Sequence, residues 1–124
     1  MRHQDTVVVE LPEQVDHDNA SLIGAQCEGL IGRDRATLVL DASRVEYLDS
    51  SGVSMIIMLS RVVGAHAGTL RVAAFRAHYR KVWHILGLDS LFPVFPTVHA
   101  ALHAPDGAAG EGHPSLSAVP ETPV

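Results

Sequence analysis

At 124 residues the chain has the length of one domain with a single core, and its 47% apolar content is that of a folded globular protein. A formal charge of −5, with nine scattered Lys and Arg residues, argues against a nucleic-acid surface. The single cysteine, Cys27, excludes an internal disulfide, and no apolar run approaches the roughly 18 to 20 residues that cross a bilayer.

The opening MRHQDTVVVELPE has no apolar signal-peptide core and no small-residue cleavage site. The expectation is a cytoplasmic protein, which suits a lone thiol. Thr6–Leu11 is a β-branched run stopped by Pro12 and reads as a strand. Asp16, Asp18 or Asn19 can cap a first helix, in which Ile23, Cys27, Leu30 and Ile31 recur on one face until Gly32-Arg33-Asp34 breaks it. Thr37–Leu40 is a continuous apolar run, as in a strand covered on both sides.

After a loop with Asp41 and Arg44 comes YLDSSGV (47–53), and then a helix from about Ser51 to His66. Thr69–Phe75 reads as a strand, Ala77–Leu86 as a helix stopped by Gly87, and Phe92–Phe95 as a short strand. Thr97 is placed to cap a last helix reaching about His103. Strands alternating with helices imply an α/β sandwich with right-handed crossovers. The folded domain spans residues 1–103. The remainder, APDGAAGEGHPSLSAVPETPV (104–124), holds four of the seven prolines and no aromatic residue. It reads as a disordered tail that cannot bury enough surface to offset its ordering entropy.

The chemistry concentrates in YLDSSGV. A serine or aspartate before an apolar helix is ordinarily an N-cap, and Ser51 is the better placed for that. A nucleophile elbow needs glycine on both sides of the serine, and a phosphate-binding loop needs its own glycine pattern and lysine; both are missing. Phosphorylation asks only for an accessible hydroxyl. At a helix start a phosphoryl group brings about −1.5 to −2 charge, favoured by the helix dipole and opposed by Asp49. The eight histidines show no zinc-type framework, so no metal or other cofactor is expected. On the following helix, Val53, Ile56, Ile57, Ser60 and Gly64 form one stripe. Met55, Met58 and Val62 lie opposite, with Ser54 and Arg61 at the edge. That second face is either buried or an adaptable contact surface.

These residues resemble the signature of STAS domains, specifically of bacterial anti-sigma factor antagonists. LVLD (38–41) followed by VEYLDSSGV (45–53) is similar to the family's hydrophobic-D-S-[ST]-G-[LV] element. LPEQVD (11–16) is similar to its G-E-[LI]-D segment, and LGLDSLF (86–92) to its late glycine turn. The resemblance implies a STAS-type sandwich, a mostly parallel β-sheet of about four strands packed against about four helices. It also implies a non-enzymatic switch in which Ser50 is the phosphoacceptor, with Ser51 the runner-up. An anti-sigma factor with serine kinase activity adds the phosphate and a metal-dependent serine phosphatase removes it; the unmodified form binds the kinase and releases a sigma factor. The implied contact surface comprises Asp16, His17, Asp49, Ser51, Gly52, Ser54, Met55, Met58 and Arg61.

The chain departs from the pattern at Pro12, at an apparent extra Gln14, and at Ser54, where relatives carry glycine. The family's first strand has only five residues available here, so it is short or absent. The exposed edge this leaves makes a homodimer an expectation. The alternatives are a scaffold subunit of a larger regulatory or lipid-transport complex without a phospho-switch, and an enzyme using Ser50 with His17 as base. No nucleic-acid or membrane partner is expected.

Overall fold

The computed structural model describes residues 6–31 and 36–105. In chain order the elements are β1 (Thr6–Glu10), β2 (Gln14–Val15), α1 (Ala20–Ile31), β3 (Thr37–Asp41), β4 (Tyr47–Leu48), α2 (Ser50–Ala65), β5 (Thr69–Ala73), α3 (Ala77–Ile85), a 3-10 turn at Leu88–Ser90, β6 (Val94–Phe95) and α4 (Val98–His103). The alternation of strands and helices read from the sequence is therefore present. The expected break at Gly32-Arg33-Asp34, the question of a strand before Thr6 and the expected tail (104–124) beyond its first two residues lie outside the described residues; Ala104 and Pro105 are ordered, their carbonyls accepting from Arg71.

The main sheet has the order β1-β3-β5-β6, and all three pairings are parallel. Period-two alternation divides its side chains between two layers. Leu38, Leu40, Leu70 and Val72 join Ile23, Cys27, Ile56, Leu59, Val63 and Trp83 in the larger core. Val39 and Ala73 turn to the other side, where they meet Phe95 of β6 and Ala101 of α4. Burial on both faces is why β3 reads as an unbroken apolar run. Burial, with a smaller contribution from Glu28, pushes the Cys27 thiol above its ordinary value, so it sits in the core as a protonated apolar group.

Two helix faces differ from expectation. The buried residues of α2 are Gly52, Met55, Ile56, Leu59 and Val63, whereas Gly64 is exposed. Met55 thus belongs to the inner face and not to the outer one. On α1 the buried set is Ala20, Ile23, Gly24, Cys27 and Ile31, and Leu30 is 58% exposed. Both helices carry more apolar residues than one stripe needs, so packing decides the rotation. The two helices approach closely at Gly24, where a Cβ would come within 3.3 Å of Met55 Cγ and Met58 Cε. The absence of a side chain there lets α2 close onto α1 with Met55 inward.

The second sheet, a two-residue parallel ribbon of β2 with β4, has no signature in the sequence; it pairs Gln14 with Tyr47 and Val15 with Leu48. Also unforeseen is Arg71, a cation in the middle of a central strand with only 3% exposure. Its Nη1 donates to the carbonyls of Ala101 (2.6 Å) and Ala104 (3.1 Å), and Nη2 donates to Pro105 (3.2 Å). The guanidinium thereby serves carbonyls that the end of α4 leaves without helical partners. Replacing it with methionine (Arg71→Met) retains bulk but removes these charge-assisted bonds. We expect a loss of about 2 to 4 kcal/mol in urea denaturation, accompanied by faster amide exchange in α4.

Candidate functional site

The YLDSSGV segment is positioned from three directions. The ribbon holds it on one side, with the Asp49 N–H donating to the Val15 carbonyl at 3.2 Å. From α3, the Tyr79 hydroxyl accepts from the Leu48 N–H at 3.1 Å and donates to the Glu46 carbonyl at 3.2 Å. Underneath, Gly52 is pressed onto the ribbon: a Cβ there would lie 2.5 Å from Leu48 Cδ1, 2.8 Å from the Val15 carbonyl oxygen and 2.9 Å from Val15 Cγ1. Glycine is required at this position by the close approach of Leu48 and Val15 of the ribbon.

The cap of α2 is Asp49, not Ser51. Its extended backbone (φ −105°, ψ −174°) lets Oδ1 accept from the N–H groups of Ser51 (2.9 Å) and Gly52 (3.1 Å). Asp49 takes this role because the first helical turn closes at Ser50, one residue earlier than expected. The second oxygen, Oδ2, accepts from the His17 N–H at 3.3 Å and lies 3.8 Å from the His17 ring Nδ1. Partial desolvation pushes the Asp49 carboxyl up. The N–H groups of Gly52, His17 and Ser51, aided by the His17 ring, outweigh that and hold it below the ordinary aspartate value.

With Asp49 as cap, Ser50 is the first helical residue and is exposed. Its neighbours line an open cleft of about 380 Å³ between the start of α1 and the first turns of α2, formed by His17, Ala20, Ser21, Ser50, Ser51, Ser54, Met55 and Met58. Five of the expected site residues other than Ser50 thus meet here: His17, Ser51, Ser54, Met55 and Met58. Met58 is 37% exposed, whereas Met55 is buried. Arg61 is exposed farther along α2 and Asp16 lies behind the cleft; neither lines it. Asp16 organises the loop, accepting from Asp18 N–H through Oδ1 (3.0 Å) and from Asn19 and Ala20 N–H through its carbonyl (3.1 and 2.8 Å).

Asn19 directly precedes α1. Its amide also serves the loop, accepting from the Asp16 N–H at 2.9 Å and donating to the Gln14 carbonyl at 2.8 Å. Ala20 and Ser21 were not anticipated as wall residues. Their signal is the small-residue spacing Ala20–Gly24, which marks where two helices approach closely. The ring of His17 faces Asp18 (Nε2 to Oδ1, 3.2 Å) and Asp49. Among the described residues no three His, Cys, Asp or Glu side chains converge on a point that would hold a metal ion, and no helix is long and apolar enough to cross a membrane.

Two outcomes follow from this geometry. Gly52→Ala overpacks the ribbon, and we expect it to cost about 1 to 3 kcal/mol in chemical denaturation while Ser51→Ala costs less. A carboxyl held low in the folded state stabilises the protein above its unfolded value of 3.8, and this contribution is lost as pH falls through the lower folded value. Asp49→Asn should therefore flatten the acid limb of the stability–pH curve, measured by thermal melts from neutral pH downward.

Known proteins resemble this chain in both sequence and fold. The anti-sigma-F factor antagonist RsfB of Mycobacterium tuberculosis is 28% identical over 100 residues, 81% of each chain. The crystal structure of an anti-sigma factor antagonist from Mycobacterium paratuberculosis superposes with a TM-score of 0.70 at 28% identity, covering 82% of this chain and 86% of that one. The anti-sigma factor antagonist SpoIIAA in its unphosphorylated form gives 0.67 at 27% identity, covering 82% and 89%. Residues 1–101 match the STAS domain, and the chain belongs to that family.

Proposed function

We propose that the protein is a non-enzymatic anti-sigma factor antagonist, acting in the cytoplasm, that is switched by phosphorylation of Ser50. The observation that carries this reading is the exposed Ser50 hydroxyl at the first turn of α2, on the rim of a cleft, in a chain whose relatives are named anti-sigma factor antagonists. The unmodified cleft rim, with His17, Ser51, Ser54 and Met58, receives an anti-sigma factor of the serine-kinase type. Asp49 and Gly52 shape that rim from beneath, Asp16 holds its loop, and Arg61 extends the contact along α2.

In the kinase complex the γ-phosphoryl of ATP passes to Ser50 Oγ. The hydroxyl proton leaves to a base of the kinase, and ADP departs. A metal-dependent phosphatase hydrolyses the ester, restoring serine and releasing inorganic phosphate. The modified state carries a dianion beside the ionised Asp49, so a partner that fits the unmodified rim closely meets added bulk and added negative charge. The chain's own part is positional. The Asp49 cap and the ribbon hold Ser50 at a helix start, exposed on the cleft.

The test uses an anti-sigma kinase from the source organism. Incubation with ATP should label wild type at Ser50 and leave Ser50→Ala unlabelled by phosphopeptide mapping. Ser50→Glu should bind the kinase at least about tenfold more weakly than wild type in calorimetry, equivalent to about 1.4 kcal/mol. Labelling confined to residues other than Ser50 and Ser51, or undiminished binding by the glutamate variant, refutes the reading.

A further inference from the structure

The charges around the cleft are one-sided. From the loop, Asp18 faces His17 Nε2 at 3.2 Å and Asp16 ties the turn behind it. From the α2 side, Asp49 faces Nδ1 at 3.8 Å. The remaining residues of the lining, contributed by α1 and α2, are Ala, Ser and Met and carry no charge. Among the described residues, His17 is therefore the one basic side chain on the cleft wall. Its backbone is tied by the 3.3 Å hydrogen bond to the carboxylate that caps the helix beginning at Ser50.

A phosphoryl group on Ser50 would enter this setting as a further anion. Asp49 cannot relieve the repulsion cheaply, because three N–H groups hold it ionised. The helix N-terminus supplies only partial positive charge, already engaged by the cap. An imidazole and a phosphoserine both exchange a proton between about pH 5 and 8, so a protonated ring and a dianionic phosphate can coexist there.

We propose that His17 is the counter-charge of phosphorylated Ser50, its imidazolium turning from the Asp18 and Asp49 carboxylates to the phosphate. This rests on the reading of Ser50 as phosphoacceptor. The side chain is 76% exposed, so the ring is free to reorient and its loss leaves the fold intact. Its effect has the size of an exposed ion pair, enough to bias the charge state of the phosphate without locking the switch.

The experiment installs phosphoserine at position 50 during translation of the full chain and follows the phosphate protonation by ³¹P NMR titration. Wild type is compared with His17→Gln, His17→Lys and, as a control on α4, His99→Gln. We expect His17→Gln to raise the titration midpoint by about 0.5 pH unit, the equivalent of an exposed ion pair. His17→Lys should keep it at or below wild type, and His99→Gln should leave it unchanged. The wild-type to glutamine difference should shrink in about 1 M salt. Equal midpoints for wild type and His17→Gln overturn the proposal, as does an equally large change in His99→Gln. Because no kinase installs the phosphate, this result stands apart from the kinase test: failure of a kinase to label Ser50 overturns the proposed function alone.

Discussion

The Asp49 carboxylate accepts from the N–H groups of Ser51, Gly52 and His17, and so ties the start of α2 to the loop that precedes α1. Most of what is distinctive about the site depends on this one group. It ends β4, starts α2, makes Ser50 the first helical residue, and brings His17 to the same rim. Each of the three hydrogen bonds stabilises the ionised form. These bonds favour the carboxylate over the protonated acid, and the helix start gains a negative charge next to its first hydroxyl.

Around that anchor the fold separates rigidity from access. The parallel sheet and the larger core fix β3 and β5, while the ribbon of β2 with β4 carries the chain from the sheet to the start of α2. Gly52 seals this junction from beneath, and the Tyr79 hydroxyl clamps it from α3. What remains open is the face above, with its serines, Met58 and His17. The lining combines the buried Ala20 and Met55 with the hydroxyls of Ser50, Ser51 and Ser54. On the opposite face of the sheet Arg71 performs a different task. It lets a short helix end in a buried position by supplying donors to its last carbonyls.

Much of the fold was legible in the sequence. Thr37–Leu40 is apolar at every position because both faces of its strand are covered, and Thr97 sits where its hydroxyl caps α4, accepting from Ala100 N–H at 3.0 Å. Gly87 ends the region of α3 with φ +75°, a conformation that glycine adopts without strain. The helix rotations were less legible. Leu30 and Met55 each satisfied a plausible apolar stripe, and only tertiary packing, including the close approach of Met55 and Met58 to Gly24, determines which residues face inward. The cap was misread for a related reason. Asp49, Ser50 and Ser51 are all good capping residues, and their order along the chain does not say where the first helical turn closes.

Local pattern determined the element types, their order, the apolar strands and the YLDSSGV segment as the place where chemistry concentrates, because these depend on side-chain periodicity and on residues close in sequence. Tertiary structure decided three matters: the ribbon between residues 14–15 and 47–48, the burial of Arg71 against the carbonyls of 101–105, and the meeting of His17 with Asp49. Each joins residues about thirty positions apart. The free energy that selects such a pairing lies in hydrogen bonds and desolvation available only once the intervening chain has folded.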